Sequence, residues 1–590
     1  MTKPQCAAKL AVFREETLKH RFGRNRMADI KQPPSAYAAK PWLASYPDGI
    51  PGDMDPVPYA SLGDMVDICC TRHADATAYS CMGKAMTFGE LDVASKAFAA
   101  HLQSLGLEKG ERVALMMPNI LQYPVALFAV LRAGLTVVNI NPLYTPRELE
   151  HQLNDSGAKA IVILENFAHT LQQVNGRTQV KHTIVASMGD LMGLKGHLVN
   201  FVVRKVKKMV PAWSLPGHET FKAALAAGRG KTMRAVTLDH GDIAFLQYTG
   251  GTTGVSKGAT LTHGNILANL QQTSHWVSAA YHARGKPDQI VYMCALPLYH
   301  IFALTVNSIV GMHWGGHNVL IPNPRDIPAF VKEMQAYDWN FFAGLNTLFN
   351  ALLNSEDFRK LDFSNVKLVM GGGMAVQKPV ADRWQEVTGS IIYEGYGLSE
   401  TSPVATANRF DATEFTGTIG LPLPSTDIAI RDEDGNDLPL GEVGEICIRG
   451  PQVMAGYWNR PEETANVMTS DGFFRSGDMG FMDEAGRTKI VDRKKDMILV
   501  SGFNVYPNEV EEVAVSHPGI IEAAAIGVPD AHSGEVVKLF VVRKDDTVTE
   551  EVVKAHCAAN LTNYKRPRFI EFRAELPKTN VGKILRRELR

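Results

Sequence analysis

The chain has 590 residues, of which 45% are hydrophobic and 21% charged, a profile of folded globular proteins rather than disordered or fibrous ones. Its 61 basic and 62 acidic side chains leave a net charge of −1, so no global charge excess draws it to nucleic acid, and no nucleic-acid partner is expected. The seven cysteines show no CxxC spacing, which argues against a disulfide framework or a zinc site and favours a reducing compartment.

Residues 1–40 are predicted to form a flexible N-terminal extension. The first 26 residues carry seven basic side chains but no apolar segment of the kind found in secretory signals. Met27 offers an alternative start, so the sequence leaves open whether residues 1–26 are authentic. No apolar run reaches the roughly 18 residues needed to span a bilayer.

Residues 41–492 are predicted to form one large domain. Short apolar runs such as Val113–Met117 and Ala160–Leu164 alternate with helical stretches such as Leu91–Leu105. Unbroken β-rich runs separated by helices are typical of parallel sheets covered on both faces, so the fold class is α/β. From about residue 421 to 492, turn-rich segments indicate a β-rich, more antiparallel subdomain. Residues 493–590 have the length, and the mixture of predicted strands and helices, of a small, mobile α+β domain.

An amphipathic segment lies at residues 194–210. Its apolar residues recur at helical spacing: Leu194, Leu198, Phe201, Val202, Val206, Met209 and Val210. Four basic residues accompany them: Arg204, Lys205, Lys207 and Lys208. Such a helix either packs its stripe on the core or lies on an anionic membrane. We favour the membrane, which places the protein in the cytoplasm and peripherally on the cytoplasmic face.

A glycine-rich loop follows the predicted strand Ile243–Gln247. It reads Thr249, Gly250, Gly251, Thr252, Thr253, Gly254, Val255, Ser256 and Lys257. Small residues let backbone N–H groups close around phosphate oxygens, while the hydroxyls and the lysine add donors and charge. Because Gly258 stands where a Walker loop needs Ser or Thr after the lysine, the loop is predicted to bind phosphate without being a Walker loop.

The segment Tyr396–Glu400 follows another apolar run and supplies an aromatic ring and a carboxylate. A ring can stack on a nucleotide base, and a carboxylate oxygen is a ligand that magnesium prefers. This segment therefore complements the glycine-rich loop as a nucleotide and metal site.

Together with Ser476–Asp478, Asp492–Asp496 and Pro577–Lys583, these motifs occur in the order seen in adenylate-forming enzymes, which the chain resembles from about residue 41 to its end. The segments Asn139–Leu149, Leu296–Phe302 and Val500–Pro507 resemble bacterial long-chain-fatty-acid–CoA ligases in particular. The resemblance implies ATP-dependent activation of a fatty acid to acyl-CoA through an acyl-adenylate, with Mg²⁺ and with coenzyme A as co-substrate.

The resemblance also implies roles for individual residues. The catalytic set is Lys583, Glu400 and His300, with Glu400 and Thr249 sharing the metal. The nucleotide-binding set comprises the loop glycines and threonines named above, Lys257, Gly372, Gly373, Tyr396, Ser399, Asp478 and Arg493. Lys495 matches the hinge, and Gly502 the position beside the pantetheine arm of coenzyme A. Leu304 replaces a tryptophan gate of some long-chain relatives, so that gate is not expected.

The residues leave three alternatives open. The acid could be medium-chain or aromatic, or the acyl group could be loaded onto a carrier protein. A non-enzymatic nucleotide-binding protein of the same fold is the third, against which Lys583, Glu400 and Asp478 together argue. For most of the candidate acyl-pocket residues, the sequence favours ordinary core packing over lining a pocket: Phe302, Phe341, Phe342, Gly344, Leu345 and Phe349.

Overall fold

A computed structural model describes residues 35–249, 256–530, 532–579 and 582–590. The predicted extension therefore lies outside the described residues up to position 34, as do Gly250, Gly251, Thr252, Thr253 and Gly254 of the glycine-rich loop. Among the helices of these described ranges, none is both long enough and apolar enough to cross a bilayer.

The strands follow one another along the chain. They are β1 Thr77–Cys81, β2 Lys84–Thr87, β3 Arg112–Met116, β4 Thr136–Asn139, β5 Ala160–Leu164, β6 His182–Ala186, β7 Glu219–Thr220, β8 Ile243–Thr249, β9 Lys257–Thr262, β10 Val291–Cys294, β11 His317–Leu320, β12 Phe341–Gly344, β13 Leu368–Gly371, β14 Ile392–Gly397, β15 Val404–Ala407, β16 Leu421–Pro422, β17 Asp427–Arg431, β18 Gly444–Arg449, β19 Gly456–Tyr457, β20 Phe474–Met482, β21 Thr488–Arg493, β22 Ile498–Val500, β23 Phe503–Val505, β24 Ile520–Asp530, β25 Gly534–Arg543 and β26 Phe569–Phe572.

The helices alternate with them. They are α1 Leu62–Arg72, α2 Phe88–Ser104, α3 Gln122–Arg132, α4 Pro146–Ser156, α5 Ala168–Val174, α6 Gly193–Phe201, α7 Phe221–Arg229, α8 His263–Arg284, α9 Ile301–Ala303, α10 Val310–Trp314, α11 Ile327–Gln335, α12 Asn346–Leu353, α13 Lys378–Thr388, α14 Pro461–Val467, α15 Pro507–Val515 and α16 Glu550–Asn560. Two π-helical segments, Val202–Val206 and Leu304–Ile309, continue α6 and α9.

Two large sheets form the core of the main part of the chain. One has the order β16-β15-β14-β13-β12-β10-β11-β1-β2, and the other β19-β9-β8-β4-β3-β5-β6-β7. The runs β14-β13-β12-β10-β11-β1 and β8-β4-β3-β5-β6-β7 pair in parallel, with antiparallel strands at the edges. Parallel strands need helical crossovers, which explains the alternation seen in the sequence.

A four-stranded sheet, β17-β18-β20-β21, is antiparallel throughout, as the turn-rich texture indicates. The C-terminal strands form a separate five-stranded sheet, β23-β22-β25-β24, with β26 added to β25. Helices α15 and α16 contribute to the apolar core of that C-terminal sheet. The α/β fold class with a β-rich part and a small α+β part is confirmed.

Local sequence explains how α4 begins and ends. Thr145 accepts from the Glu148 backbone N–H, Glu148 caps the Thr145 backbone in return, and Pro146 occupies the first turn. This reciprocal capping satisfies donors that a helix start leaves free. Gly157 ends the helix with φ 64°, a left-handed conformation that glycine adopts without a steric penalty. The motif around Pro146 is therefore a helix start, and His151 of this helix contacts the Ser256 carbonyl, just before β9, at 2.9 Å.

Candidate active site

The strand ends of one sheet bring several predicted residues together. The parallel strands β10, β12, β13 and β14 end near His300, Leu345, Gly372 and Ser399, respectively. Loops at the carboxyl ends of parallel strands meet at one edge of the sheet, which is the usual place for a ligand in α/β proteins. The half-buried Ser399 hydroxyl lies in the turn that carries Glu400.

The glycine pair after β13 keeps this edge open. A Cβ on Gly372 would lie 3.0 Å from the Phe302 ring and 3.2 Å from the Gly395 carbonyl, and Gly373 has φ 75°. A side chain at either position would therefore push against an aromatic ring or strain the backbone. Both glycines are placed where a flat ligand could lie against bare backbone.

The glycine-rich loop connects β8 and β9 as a hairpin, with Thr249 and Lys257 as cross-strand partners at its base. The Ser256 hydroxyl donates to the Thr249 carbonyl at 2.6 Å and closes the loop there. Lys257 forms an ion pair with Glu463, at the start of α14. Its ammonium also lies 5.2 Å from the centre of the Tyr457 ring.

Tyr457 links the loop to the predicted metal ligand. Its hydroxyl donates to Glu400 Oε1 at 2.7 Å, while its ring faces Lys257. Burial raises the pKa of Glu400, and the hydrogen bond from Tyr457 opposes that rise. Neither Tyr457 nor Glu463 stands in a motif that marks it for this site in the sequence. Only the pairing of β19 with β9, which places Tyr457 opposite Ala259, brings the tyrosine here.

A second cluster joins three predicted nucleotide-binding residues. The Tyr396 hydroxyl donates to Asp478 Oδ2 at 2.6 Å, and Arg493 Nε lies 3.3 Å from Asp478 Oδ1. Asp478 and Arg493 are direct partners on β20 and β21. The antiparallel sheet thus presents a buried carboxylate beside a guanidinium, a pair that could hold the two hydroxyls of a ribose and a phosphate oxygen.

Lys583 reaches the same region from the C-terminal tail. Its loop packs on α12, where a Cβ on Gly582 would lie 2.6 Å from Thr347 Oγ1. Burial and then the Arg493 guanidinium lower the pKa of Lys583 to about 7, against the opposing Asp478 carboxylate. Burial and then the Lys583 ammonium lower the pKa of His300 to about 4, so this imidazole is neutral at pH 7. The tail thus brings a half-buried lysine into the electrostatic field of the half-buried, neutral His300.

Lys495 and Gly502, the predicted hinge and coenzyme A residues, take no part in the hydrogen bonds and ion pairs just described. Lys495 occupies the turn after β21, and its amino group is buried without a hydrogen-bond partner among the described residues. Gly502 lies at the exposed tip of the β22–β23 hairpin, where Ser501 and Gly502 both have positive φ, at 50° and 84°. This is the geometry of a two-residue type I′ turn.

The candidate acyl-pocket residues divide between site and core. Phe302 borders Gly372 at the strand ends, and Leu345 borders Gly373. Phe342 and Phe349 instead pack against Trp384, with ring centres 6.0 and 4.9 Å away, in an apolar core. These two aromatic residues serve ordinary packing, one of the two roles that the sequence left open.

The comparisons with known proteins agree with this arrangement. Residues 66–458 match the family described as AMP-binding enzyme, and residues 509–583 match the AMP-binding enzyme C-terminal domain. A long-chain-fatty-acid–CoA ligase of Yersinia pestis is 56% identical over 553 residues, 93% of this chain and 98% of the relative. The ligase of the same name from Escherichia coli O6:H1 is 55% identical over the same shares.

Among solved structures, an anthranilate CoA ligase in complex with anthranoyl-AMP superimposes with a TM-score of 0.79 at 25% identity, covering 91% of this chain and 97% of that one. The family matches span both the strand-end site and the domain that delivers Lys583. The chain therefore belongs to the AMP-binding enzymes, as a bacterial acyl-CoA synthetase of the adenylate-forming superfamily.

Proposed function

We propose that this chain activates a long-chain fatty acid to its acyl-CoA, using ATP and coenzyme A. The names of its relatives and their near full-length similarity support this substrate class. The observation that carries the proposal is the electrostatic cluster in which Arg493 and Asp478 act on Lys583, and Lys583 acts on His300. We propose that this lysine meets both the substrate carboxylate and the α-phosphate of ATP.

In the first step, a carboxylate oxygen of the acid attacks the α-phosphorus, and the bond to the bridging oxygen of pyrophosphate breaks. Two anions must approach each other, so placed cations lower the barrier. Lys583 and Arg493 supply that charge, and the neutral His300 can donate a hydrogen bond that orients the carboxylate. Gly372, Gly373 and Tyr396 receive the adenine, Asp478 the ribose, and Ser399 the α-phosphate.

The proposed magnesium site fits the residues present. Among the described residues, no cluster of three or more metal-ligating side chains exists. Magnesium at nucleotide sites typically takes one or two protein ligands and fills its shell with phosphate oxygens and water. The buried Glu400 carboxylate, with Thr249 at the base of the phosphate loop, matches that requirement. The metal would neutralise phosphate charge, while Lys257 and the loop residues 250–254 hold the β- and γ-phosphates.

In the second step, the thiol of coenzyme A loses its proton and attacks the acyl carbonyl, and AMP leaves. Because the tail loop that carries Lys583 covers the strand ends, this loop has to withdraw before a thiol can enter. We propose residues 41–492 as the large domain, residues 493–590 as the domain that rotates, and Lys495 as the pivot. Gly502 at the hairpin tip then approaches the pantetheine arm.

The first test combines a substrate panel with one substitution. Wild-type protein should release pyrophosphate with C14 to C18 fatty acids faster than with C4 acids or benzoate, and should form thioester only with coenzyme A. Lys583→Ala should lower acyl-adenylate formation by about 10²–10⁴, the scale of a placed electrostatic group. Thioester formation from synthetic acyl-adenylate should survive in this variant. Preference for benzoate, or equal loss in both steps, would contradict the assignment.

The second test uses the pH dependence of adenylation. Since the pKa of Lys583 is about 7, the ammonium loses its proton as the pH rises through neutrality. The kcat/KM for ATP in pyrophosphate release should therefore fall above pH 7, because this constant reports the free enzyme. A Lys583→Arg variant keeps the positive charge, so its kcat/KM should no longer fall above pH 7, whatever its absolute rate. Lys495, whose pKa burial lowers to about 8, is the control. In Lys495→Arg, the fall in kcat/KM above pH 7 should remain.

The third test concerns Gly502. A Cβ there would meet no described atom within 4 Å, so bulk is tolerated in the present orientation. Gly502→Ala and Gly502→Leu share the cost of a side chain at φ 84° and differ in bulk. The leucine variant should slow thioester formation at least about tenfold more than the alanine variant, with adenylation rates alike. Equal thioester rates in both variants would remove Gly502 from the pantetheine path.

We further propose that the protein rests on anionic membranes through residues 194–210. In α6 and the π-helical turn, Val199 and Val203 pack inward with Met192. Five of the seven predicted stripe residues face outward instead, with exposed fractions of 90% at Leu194, 64% at Leu198, 57% at Phe201, 64% at Val206 and 51% at Met209. The other two, Val202 and Val210, are half-buried, and Val210 packs against the inward cluster. This outward orientation argues against the interpretation in which the stripe packs on the core. An exposed apolar row beside basic residues suits a lipid interface.

The basic residues of this surface are not equivalent. Arg204 binds the buried Glu165 through Nε, at 3.0 and 2.9 Å, and reaches Ser187. Because Arg204 already has an internal partner in Glu165, we propose that the electrostatic part of the membrane contact depends mainly on the other three basic residues. Lys205, Lys207 and Lys208 are exposed and take part in no ion pair with another described residue.

The fourth test changes Lys205, Lys207 and Lys208 to Gln together. At about 1 kcal/mol for each lysine near an anionic surface, binding to phosphatidylserine-containing vesicles should weaken by about two orders of magnitude at low salt. The control changes the exposed Lys489, Lys544 and Lys554 to Gln, which alters net charge equally elsewhere. Leu198→Ser with Phe201→Ser should weaken binding even to neutral vesicles. Equal sedimentation of the lysine variant and its control would eliminate this surface as the electrostatic anchor.

A further inference from the structure

Asp492, near the end of β21, is a fully buried acid outside the nucleotide site. Its Oδ1 accepts from the Arg493 backbone N–H at 2.7 Å, and its Oδ2 accepts from the Asn508 backbone N–H at 2.8 Å. Asn508 is in the first turn of α15, whose own N-cap residue, Tyr506, makes no side-chain capping bond. A carboxylate at a helix start satisfies a free donor and interacts favourably with the helix dipole. Asp492 thus caps a helix that begins beyond the proposed pivot.

Arg586 completes the contact from the C-terminal tail. It binds Glu511 of α15 through two nitrogens, at 3.0 and 2.8 Å, and donates to Asn508 Oδ1 at 2.7 Å. Its remaining nitrogen lies 3.9 Å from Asp492 and 3.6 Å from Asp496. Arg586 therefore ties the tail to α15 and turns a positive charge toward Asp492.

Asp492 precedes Lys495 in the chain, whereas Asn508, Glu511 and Arg586 follow it. A rotation about Lys495 carries these three residues with the C-terminal domain and leaves Asp492 on the antiparallel sheet. The hydrogen bond to Asn508 and the attraction to Arg586 then exist only in the orientation seen here, in which Lys583, three residues before Arg586, lies in the site. By contrast, Asp496 follows the pivot and moves with Arg586.

We propose that Asp492 is a positioning residue that holds the C-terminal domain in the adenylation orientation by capping α15 and attracting Arg586 across the pivot. This inference rests on the two-step function proposed above. If the proposal holds, removing the Asp492 carboxylate shifts the C-terminal domain toward the thioester orientation. The rate of acyl-adenylate formation should then fall, while the rate of thioester formation stays unchanged or rises. Burial raises the pKa of Asp492 to about 6, so assays at pH 8 keep the group ionised.

The experiment measures both half-reactions in single turnovers at pH 8. In Asp492→Ala, acyl-adenylate formation should fall about tenfold, equivalent to ~1.4 kcal/mol. Thioester formation from synthetic acyl-adenylate should stay unchanged or rise. The matched control is Asp496→Asn, which removes a carboxylate 3.6 Å from Arg586 on the moving side of the pivot. It should change the ratio of the two rates by less than about twofold. Equal loss of both rates in Asp492→Ala, or the same split in the control, would overturn the proposal.

A second readout reports orientation without chemistry. Lys360→Cys on the large domain and Lys554→Cys on α16 provide two exposed sites for a donor and an acceptor dye, whose fluorescence energy transfer is measured. Among the native cysteines, Cys6 is changed to Ser, and the other six are buried. Asp492→Ala should alter the distribution of transfer efficiencies, whereas Asp496→Asn should not. An unchanged distribution with a normal melting temperature would refute the positioning role. Absence of acyl-adenylate in wild type would instead refute the proposed function, and the distribution would still test the contact.

Discussion

The site is organised by uncompensated positive charge. Lys583 and Arg493 lie near the Asp478 carboxylate, and repulsion from Arg493 is among the forces that lower the pKa of Lys583. Cations held together in a site partly removed from water repel one another until an anion arrives. An enzyme that must bring a carboxylate to a triphosphate needs this imbalance. The docking of the C-terminal tail supplies one of its cations.

Two polar side chains, Tyr457 and Asp492, connect separate elements of the fold around the site. The Tyr457 ring faces Lys257 and its hydroxyl donates to Glu400, so one residue connects the proposed phosphate-binding and metal-binding groups. Asp492 joins the antiparallel sheet to the first turn of α15. Each connection uses one buried side chain at a strand pairing or a helix start, where the backbone fixes its position. Both residues therefore act on the site through other protein groups, Glu400 and Lys257 in one case and the start of α15 in the other.

The sequence predicted the fold class, because parallel strands and their helical crossovers leave a strong periodic pattern. It also predicts roles for Lys257, Glu400, Asp478 and Lys583, since each stands in a short motif, and these roles stay predictions. Tyr457 and the contacts of Asp492 were not predicted, because strand pairing and the docking of the tail determine their partners, and local spacing does not encode either. The stripe at residues 194–210 illustrates the same limit. Helical spacing alone does not distinguish an inward from an outward face, and only packing by Val199 and Val203 decides it.

The ion pair between Lys257 and Glu463 has a consequence for turnover. If Lys257 holds the terminal phosphates as proposed, Glu463 competes with them for the lysine at a constant effective concentration, whatever the nucleotide level. A triphosphate must displace Glu463, whereas AMP, which has no β- or γ-phosphate, leaves it in place. The pair then lowers the affinity for ATP without lowering the affinity for AMP. Once pyrophosphate has gone, Lys257 returns to its internal partner and needs no ion from solution to neutralise it.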